Sequence, residues 1–261
     1  MKIAAIQSYN NNQYNTKAPS FNSWRKYSLL TDRGGHRLEN LRHTTATQIF
    51  RDCPNWKELT QFLAEKYKNI PKINVYDYGC SNGSEAYTFL IAMFNDNGYS
   101  FTKKFTPIKA RDYDGGAIYK AQSGKIDLDT LEISAVESYT NGKFKNYFYS
   151  KYNDDIYSIK RWSVSPLLTD NIEFECKNII EDYKNIESDN TIVFARNFWP
   201  YLKHNDRELL AKGLYSQLGQ NSILIIGGFD RAIDLIGDIP AETYLLKAGF
   251  KPSKVDYIFE K

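Results

Sequence analysis

From Ile73 onward the chain alternates short β-rich runs with helix-like ones, and this alternation limits most strongly what it can fold into. Residues 73–78, 106–111, 172–176, 191–195 and 222–226 read as strands, while 85–94, 116–122 and 207–218 carry helical patterning. Strands separated by helices pair in parallel, so the pattern predicts a doubly wound α/β sheet. Two departures stand out. Residues 143–152 and 156–162 flank Asp154-Asp155 and are expected to form a small β insertion, at about 143–165. Residues 255–259 follow Ala248-Gly249-Phe250 and are expected to form a last strand.

The front of the chain is different. Residues 1–22 are rich in Asn, Gln, Ser and Tyr and are expected to be a mobile tail. Residues 23–68 form an N-terminal helical segment, clearest where Trp56, Leu59, Phe62, Leu63 and Tyr67 share a helical face behind an Asn55 cap. The main domain is then 69–261. With 261 residues, 42% apolar and 25% charged, the chain suits one substantial core with a small appendage, and disorder throughout is excluded. The apolar run at 222–229 falls far short of the ~18–20 residues of a membrane span, so no membrane insertion is expected. The start of the chain lacks the pattern of a secretory signal, and a cytoplasmic monomer with reduced thiols is the expectation. Three cysteines without close pairing support neither a metal site nor a disulfide framework, so no metal is expected. A net charge of +3 from scattered basic residues gives no footprint for nucleic acid.

The stretch Val75-Tyr-Asp-Tyr-Gly-Cys-Ser-Asn-Gly-Ser-Glu-Ala-Tyr-Thr88 reads as strand, glycine-bounded loop and helix. Such a loop is either a tight turn with no ligand or a place where a ligand approaches the backbone at a helix N-terminus. It matches neither the dinucleotide fingerprint nor the P-loop. Further on, 108–112 is a β-run ending in an acid, the position from which a carboxylate reaches ribose hydroxyls. Asp112 or Asp114 would alternatively be a helix cap. Loop and acid together point to an adenosine-containing ligand.

These residues carry a resemblance. Thr47-Gln-Ile-Phe-Arg-Asp52, Gly79-Cys-Ser-Asn-Gly-Ser-Glu-Ala-Tyr-Thr88, Ala110-Arg-Asp-Tyr-Asp114, Ala121-Gln-Ser-Gly124, Ile172-Glu-Phe-Glu-Cys-Lys-Asn-Ile179 and Val193-Phe-Ala-Arg-Asn-Phe-Trp-Pro-Tyr201 follow one another in the order and spacing of a known family. Together they resemble the CheR type of chemotaxis-receptor glutamate O-methyltransferase, which uses S-adenosylmethionine. The resemblance implies a Rossmann-like methyltransferase sheet, mostly parallel with an antiparallel last strand. It also implies site roles. Thr47 and Arg51 would approach the cofactor from the N-terminal segment; Gly79, Cys80, Gly83 and Glu85 would line its amino-acid end and the loop. Asp112 would bind the ribose, and Asn178 and Ile179 would flank the adenine. Arg196, Asn197 and Tyr201 would face the methyl group and a protein acceptor, with Arg51, Arg196 and Tyr201 catalytic. Each arginine has a plainer reading as a structural ion pair.

The chain also departs from the family. Ser84 and Ala86 stand where the family has Glu and Pro, Pro200 precedes Tyr201, and Gly227-Gly-Phe-Asp230 replaces a Gly-His-Ser/Thr-Glu pattern. The N-terminal helical domain is reduced. In some members the β insertion docks a receptor-tail peptide by strand addition. A chemoreceptor or another signalling protein is the acceptor expected. A catalytically silent module that binds S-adenosylmethionine or S-adenosylhomocysteine is the main alternative, ahead of a small-molecule or RNA methyltransferase.

Overall fold

A computed structural model describes residues 47–51, 53–149, 159–232 and 237–261, all within the compact unit Arg42–Lys261. The expected tail, most of the N-terminal helical segment and the Asp154-Asp155 turn lie outside the described residues. The first described helix, α1 (Trp56–Lys66), begins where the Asn55 side chain accepts the Lys57 and Glu58 N–H groups. It buries Trp56, Leu59, Phe62 and Leu63.

Beyond it runs β1 (Asn74–Tyr78), then α2 (Ser84–Thr102), β2 (Ile108–Asp112), α3 (Gly115–Gln122), β3 (Lys125–Asp129) and α4 (Thr130–Thr140). Next come β4 (Phe148–Tyr149), β5 (Ile159–Val164), α5 (Pro166–Thr169), β6 (Ile172–Cys176), α6 (Ile179–Asp182) and β7 (Thr191–Ala195). The chain closes with α7 (His204–Gln217), β8 (Ile223–Ile225), α8 (Gly228–Ala232), α9 (Ala241–Ala248), β9 (Lys251–Pro252) and β10 (Ile258–Glu260).

The main sheet has the order β6-β2-β1-β7-β8-β10-β9. β6, β2, β1, β7 and β8 are parallel neighbours, whereas β10 runs antiparallel to β8 and β9. This is the expected doubly wound α/β class with an antiparallel end. Strand order reverses between β1 and its two neighbours, so the carboxyl ends of β2, β1 and β7 flank the crevice where such sheets bind ligands. The two faces are covered separately. Val75 joins side chains of α1, α2, α3 and α4 in one core, while Tyr76 and Tyr78, pointing the other way, join those of α6, α7 and α9.

The β insertion differs from its sequence reading in two ways. β3 is its third strand, pairing antiparallel with β5, which also pairs with β4. Ile126 and Leu128 are buried while Lys125 and Asp127 are exposed, a period-two alternation that was present in the sequence. In place of an extended arm from Lys143, residues 144–146 form one 3-10 turn, which lets Phe144 and Phe148 pack together at 5.2 Å between ring centroids. The last strand is also displaced toward the C-terminus, because Tyr257 adopts a positive φ of 68° and begins β10 only afterwards.

Candidate active site

The glycine loop between β1 and α2 is built to keep its backbone close to a ligand. Gly79 and Gly83 have φ of 79° and 90°, a region that favours glycine, and a Cβ on Gly83 would stand 2.9 Å from the Phe174 ring. Gly79 itself is exposed. The Gly79 and Cys80 N–H groups both donate to the Arg111 carbonyl, at 2.8 and 3.1 Å, pinning the loop to the end of β2. Burial pushes the Cys80 thiol up, so it stays neutral.

Asp112 completes this attachment. Its Oδ2 accepts the Ser81 N–H at 2.8 Å and its Oδ1 accepts the Asp114 N–H at 2.9 Å. Asp114 is the helix cap, accepting from Gly116 and Ala117 at the head of α3. The two acids left open by sequence are thereby told apart: one caps a helix, and the other sits at the mouth of the loop with acceptor capacity to spare.

Arg196, just past β7, closes the opposite side. Its Nη1 donates to Glu85 Oε2 at 2.6 Å, its Nη2 donates to the Cys53 carbonyl, and its guanidinium lies 5.3 Å above the Trp56 ring. Arg196 is buried and Glu85 half-buried, their side chains 1% and 11% exposed. Burial raises the Glu85 carboxyl, against which the charges of Arg196 and Arg51 pull back. Arg51 is brought here by a clasped segment: the Ile49 N–H donates to Glu132 at 2.9 Å, the Phe50 N–H donates to Thr88 at 3.0 Å, and the Phe50 ring stacks on Tyr139 at 4.5 Å. Thr47, half-buried, lies at the start of this segment.

After Arg196 the chain turns at Asn197, whose φ is 60°, into a 3-10 turn over Trp199–Tyr201. Sequence reasoning missed what holds that turn. Asp230, buried on α8, accepts the Asn197, Trp199 and Gly227 N–H groups at 2.5, 3.2 and 2.8 Å. Asn197 Oδ1 in return accepts the Phe229 N–H at 3.1 Å, and the Tyr201 and Phe229 rings meet at 6.2 Å. Burial pushes the Asp230 carboxyl up to about 7, against the pull of those three N–H groups and of Arg196. The fourth wall is thinner. Asn178 is exposed and caps α6 through the Ile180 N–H at 3.1 Å, while Ile179 is buried in the core containing Tyr76 and Tyr78.

A second missed residue is Asp77, buried in β1 two residues before Gly79. An acid in a strand buried on both faces is itself a signal, since such strands otherwise read as apolar runs. Arg51, Gly79, Cys80, Gly83, Glu85, Asp112, Arg196, Asn197 and Tyr201 thus belong to loops and helix starts that meet around the carboxyl ends of β1, β2 and β7. Exposed loop backbone, a carboxylate at the loop mouth and further buried acids suit a ligand with hydroxyls at one end and a positive charge at the other.

The chain is similar to known proteins over most of its length. The sequence profile described as CheR methyltransferase, SAM binding domain, matches residues 45–235. Chemotaxis protein methyltransferase 1 of Pseudomonas aeruginosa is 25% identical over 206 residues, covering 76% of this chain and 71% of that protein. Chemotaxis protein methyltransferase Cher2 of Pseudomonas putida is 24% identical over 189 residues, covering 70% and 65%. Among solved structures, a TehB-like SAM-dependent methyltransferase from Corynebacterium glutamicum is 14% identical with a TM-score of 0.40, covering 81% of this chain and 90% of that one. Among the described residues no helix is long and apolar enough to cross a membrane, and no cluster of His, Cys, Asp and Glu forms a metal-ligand set.

Proposed function

The chain belongs to the CheR methyltransferase family, and from that premise we propose that it methylates a glutamate carboxylate on a protein acceptor. The cofactor is S-adenosylmethionine, which supplies a methyl group on a positively charged sulfur. The donor set suits it: exposed Gly79 backbone, Asp112 for the ribose hydroxyls, and the buried Asp77 and half-buried Glu85 toward the cationic amino-acid end. The single observation that carries the reading is Asp112 holding the Ser81 N–H, because it joins the ribose-binding acid to the glycine loop in one rigid unit.

A carboxylate acceptor is already ionised at neutral pH and needs no general base. What it needs is placement at attack distance. In this reading Tyr201 and Arg51 orient the acceptor, Arg196 fixes Glu85 and the Trp56 wall, and Asp230 holds the 197–201 turn in place. Thr47 stands at the cofactor's edge, and Asn178 and Ile179 flank the adenine. β3 and β4 are the outer strands of the insertion's sheet and offer an extended acceptor segment an edge.

The test is labelled methyl transfer from S-adenosylmethionine to protein acceptors, followed by mild alkali. A glutamate methyl ester releases its label as methanol, whereas methyl on nitrogen stays bound. Tyr201→Phe is expected to lower this transfer while leaving S-adenosylhomocysteine affinity within about twofold of wild type, since in this reading the hydroxyl orients the acceptor and not the cofactor. Base-stable label would replace the carboxylate acceptor with another.

A further inference from the structure

Arg207 stands in the first turn of α7 and is 1% exposed. Leu210, Ala211 and Leu214 lie three, four and seven residues further on and are buried on the same face of the helix, where an apolar side chain is the ordinary occupant. A guanidinium at such a place is costly unless every bond it can make is made, and an apolar residue of similar volume serves stability as well or better. The reason for an arginine here lies in what it holds.

All three of its nitrogens are engaged. Nε donates to the Leu202 carbonyl at 2.9 Å, and Nη2 donates to the Pro200 carbonyl at 3.0 Å. These are the residues on either side of Tyr201. The other side of the fork meets Asp238, with Nη1 on Oδ1 at 3.0 Å and Nη2 on Oδ2 at 2.9 Å. Asp238 is fixed in turn: its Oδ1 accepts the Ile239 N–H at 2.7 Å, and His204 Nε2 lies 3.6 Å from it. His204 Nδ1 and the Tyr244 hydroxyl of α9 are 2.6 Å apart, which ties this anchor to the core.

The turn that carries Tyr201 is therefore held by two ionic side chains of opposite sign. Asp230 takes the Asn197 and Trp199 N–H groups, and Arg207 takes the Pro200 and Leu202 carbonyls. Asp230 fixes where the turn begins; Arg207 fixes the two peptide groups that aim the tyrosine. We propose that Arg207 is the positioning residue for Tyr201, clamping the backbone on both sides of it to Asp238 so that its hydroxyl is presented to the acceptor carboxylate. This inference rests on the methyltransferase reading with Tyr201 on the acceptor side.

The test is a double-mutant cycle on methyl transfer, with a protein extract of the cells that make this chain as acceptor and base-labile label as the signal. Arg207→Lys keeps the charge but offers one nitrogen where the guanidinium uses three. It is expected to lower the transfer rate about 10- to 100-fold, the cost of a misplaced group, with S-adenosylhomocysteine affinity within about twofold of wild type by calorimetry. In a Tyr201→Phe background the same substitution is expected to have little further effect, because the group it aims is already gone. Asp238→Asn, which loosens the clamp from its other end, is expected to give a smaller fall that is likewise lost in the Tyr201→Phe background, and it carries the test if Arg207→Lys does not fold. Losses that multiply independently of Tyr201, or cofactor affinity that falls in step with transfer, overturn the inference and leave the methyltransferase reading intact. Base-stable label from the wild-type chain overturns the carboxylate acceptor and the inference with it.

Discussion

Arg196 and Glu85 face each other at 2.6 Å across the crevice, one from the end of β7 and the other from the first turn of α2. The contact ties the two walls of the site together in the interior. Removing Glu85 as Glu85→Ala leaves a buried guanidinium without its counter-charge, and urea denaturation should register a loss of about 3–5 kcal/mol. Glu85→Gln, which keeps an acceptor for Arg196, should lose less. Equal losses in the two variants would mean that the charge contributes little.

Asp112 should act on ligand binding more than on folding. Asp112→Ala removes the acceptor expected for the ribose hydroxyls and releases the Ser81 N–H, so S-adenosylhomocysteine should bind about 5- to 150-fold more weakly by calorimetry, equivalent to about 1–3 kcal/mol. Unchanged affinity would detach Asp112 from the cofactor.

The division between what the sequence revealed and what it hid follows contact order along the chain. The strands of the parallel sheet were legible because β7 and β8 are short apolar runs and β2 and β6 alternate apolar with charged residues, and the glycine loop because its elements are adjacent in sequence. Asp114 and Asp112 looked alike until their partners were known, since a cap bonds two or three residues away whereas Asp112 reaches back thirty-one to Ser81. Asp230 was hidden for the same reason: its three donors lie on two loops, and no local pattern marks a carboxylate that gathers N–H groups from a neighbouring strand's end. β3 was overlooked despite its alternation, because an antiparallel partner thirty or more residues downstream gives it no local turn signal.

Gly227 is required by its neighbour. A Cβ there would stand 2.2 Å from Asn197 Oδ1, so Gly227→Ala must push the Asn197 side chain aside and strip the Phe229 N–H of its acceptor. A loss of about 1–3 kcal/mol is expected in thermal or chemical unfolding. Combined with Asn197→Ala, the two losses should sum to less than their separate values, since both act on one contact. Strict additivity would show that the strain lies elsewhere.

Asp230 should leave a signature in the pH dependence of stability. An unfolded aspartate titrates near its ordinary 3.8 and the folded one at about 7, so between those values the folded state holds a proton that the unfolded state has released. The contribution of this residue to stability therefore falls as pH rises through that window and is level above it. Unfolding curves of wild type and Asp230→Asn, collected from pH 4 to 8, should give a stability difference that shifts against wild type up to about pH 7. A difference independent of pH would remove this assignment.

The clasp on residues 49 and 50 has a wider consequence. Glu132 and Thr88 take hold of this segment through the Ile49 and Phe50 N–H groups, which every residue except proline possesses. The seat therefore grips main chain, while the buried Ile49 and the Phe50 ring stacked on Tyr139 add side-chain packing to that grip. Backbone bonds set where the segment lies and two apolar side chains set how firmly it stays, so Arg51 is delivered to its place by both kinds of contact at once.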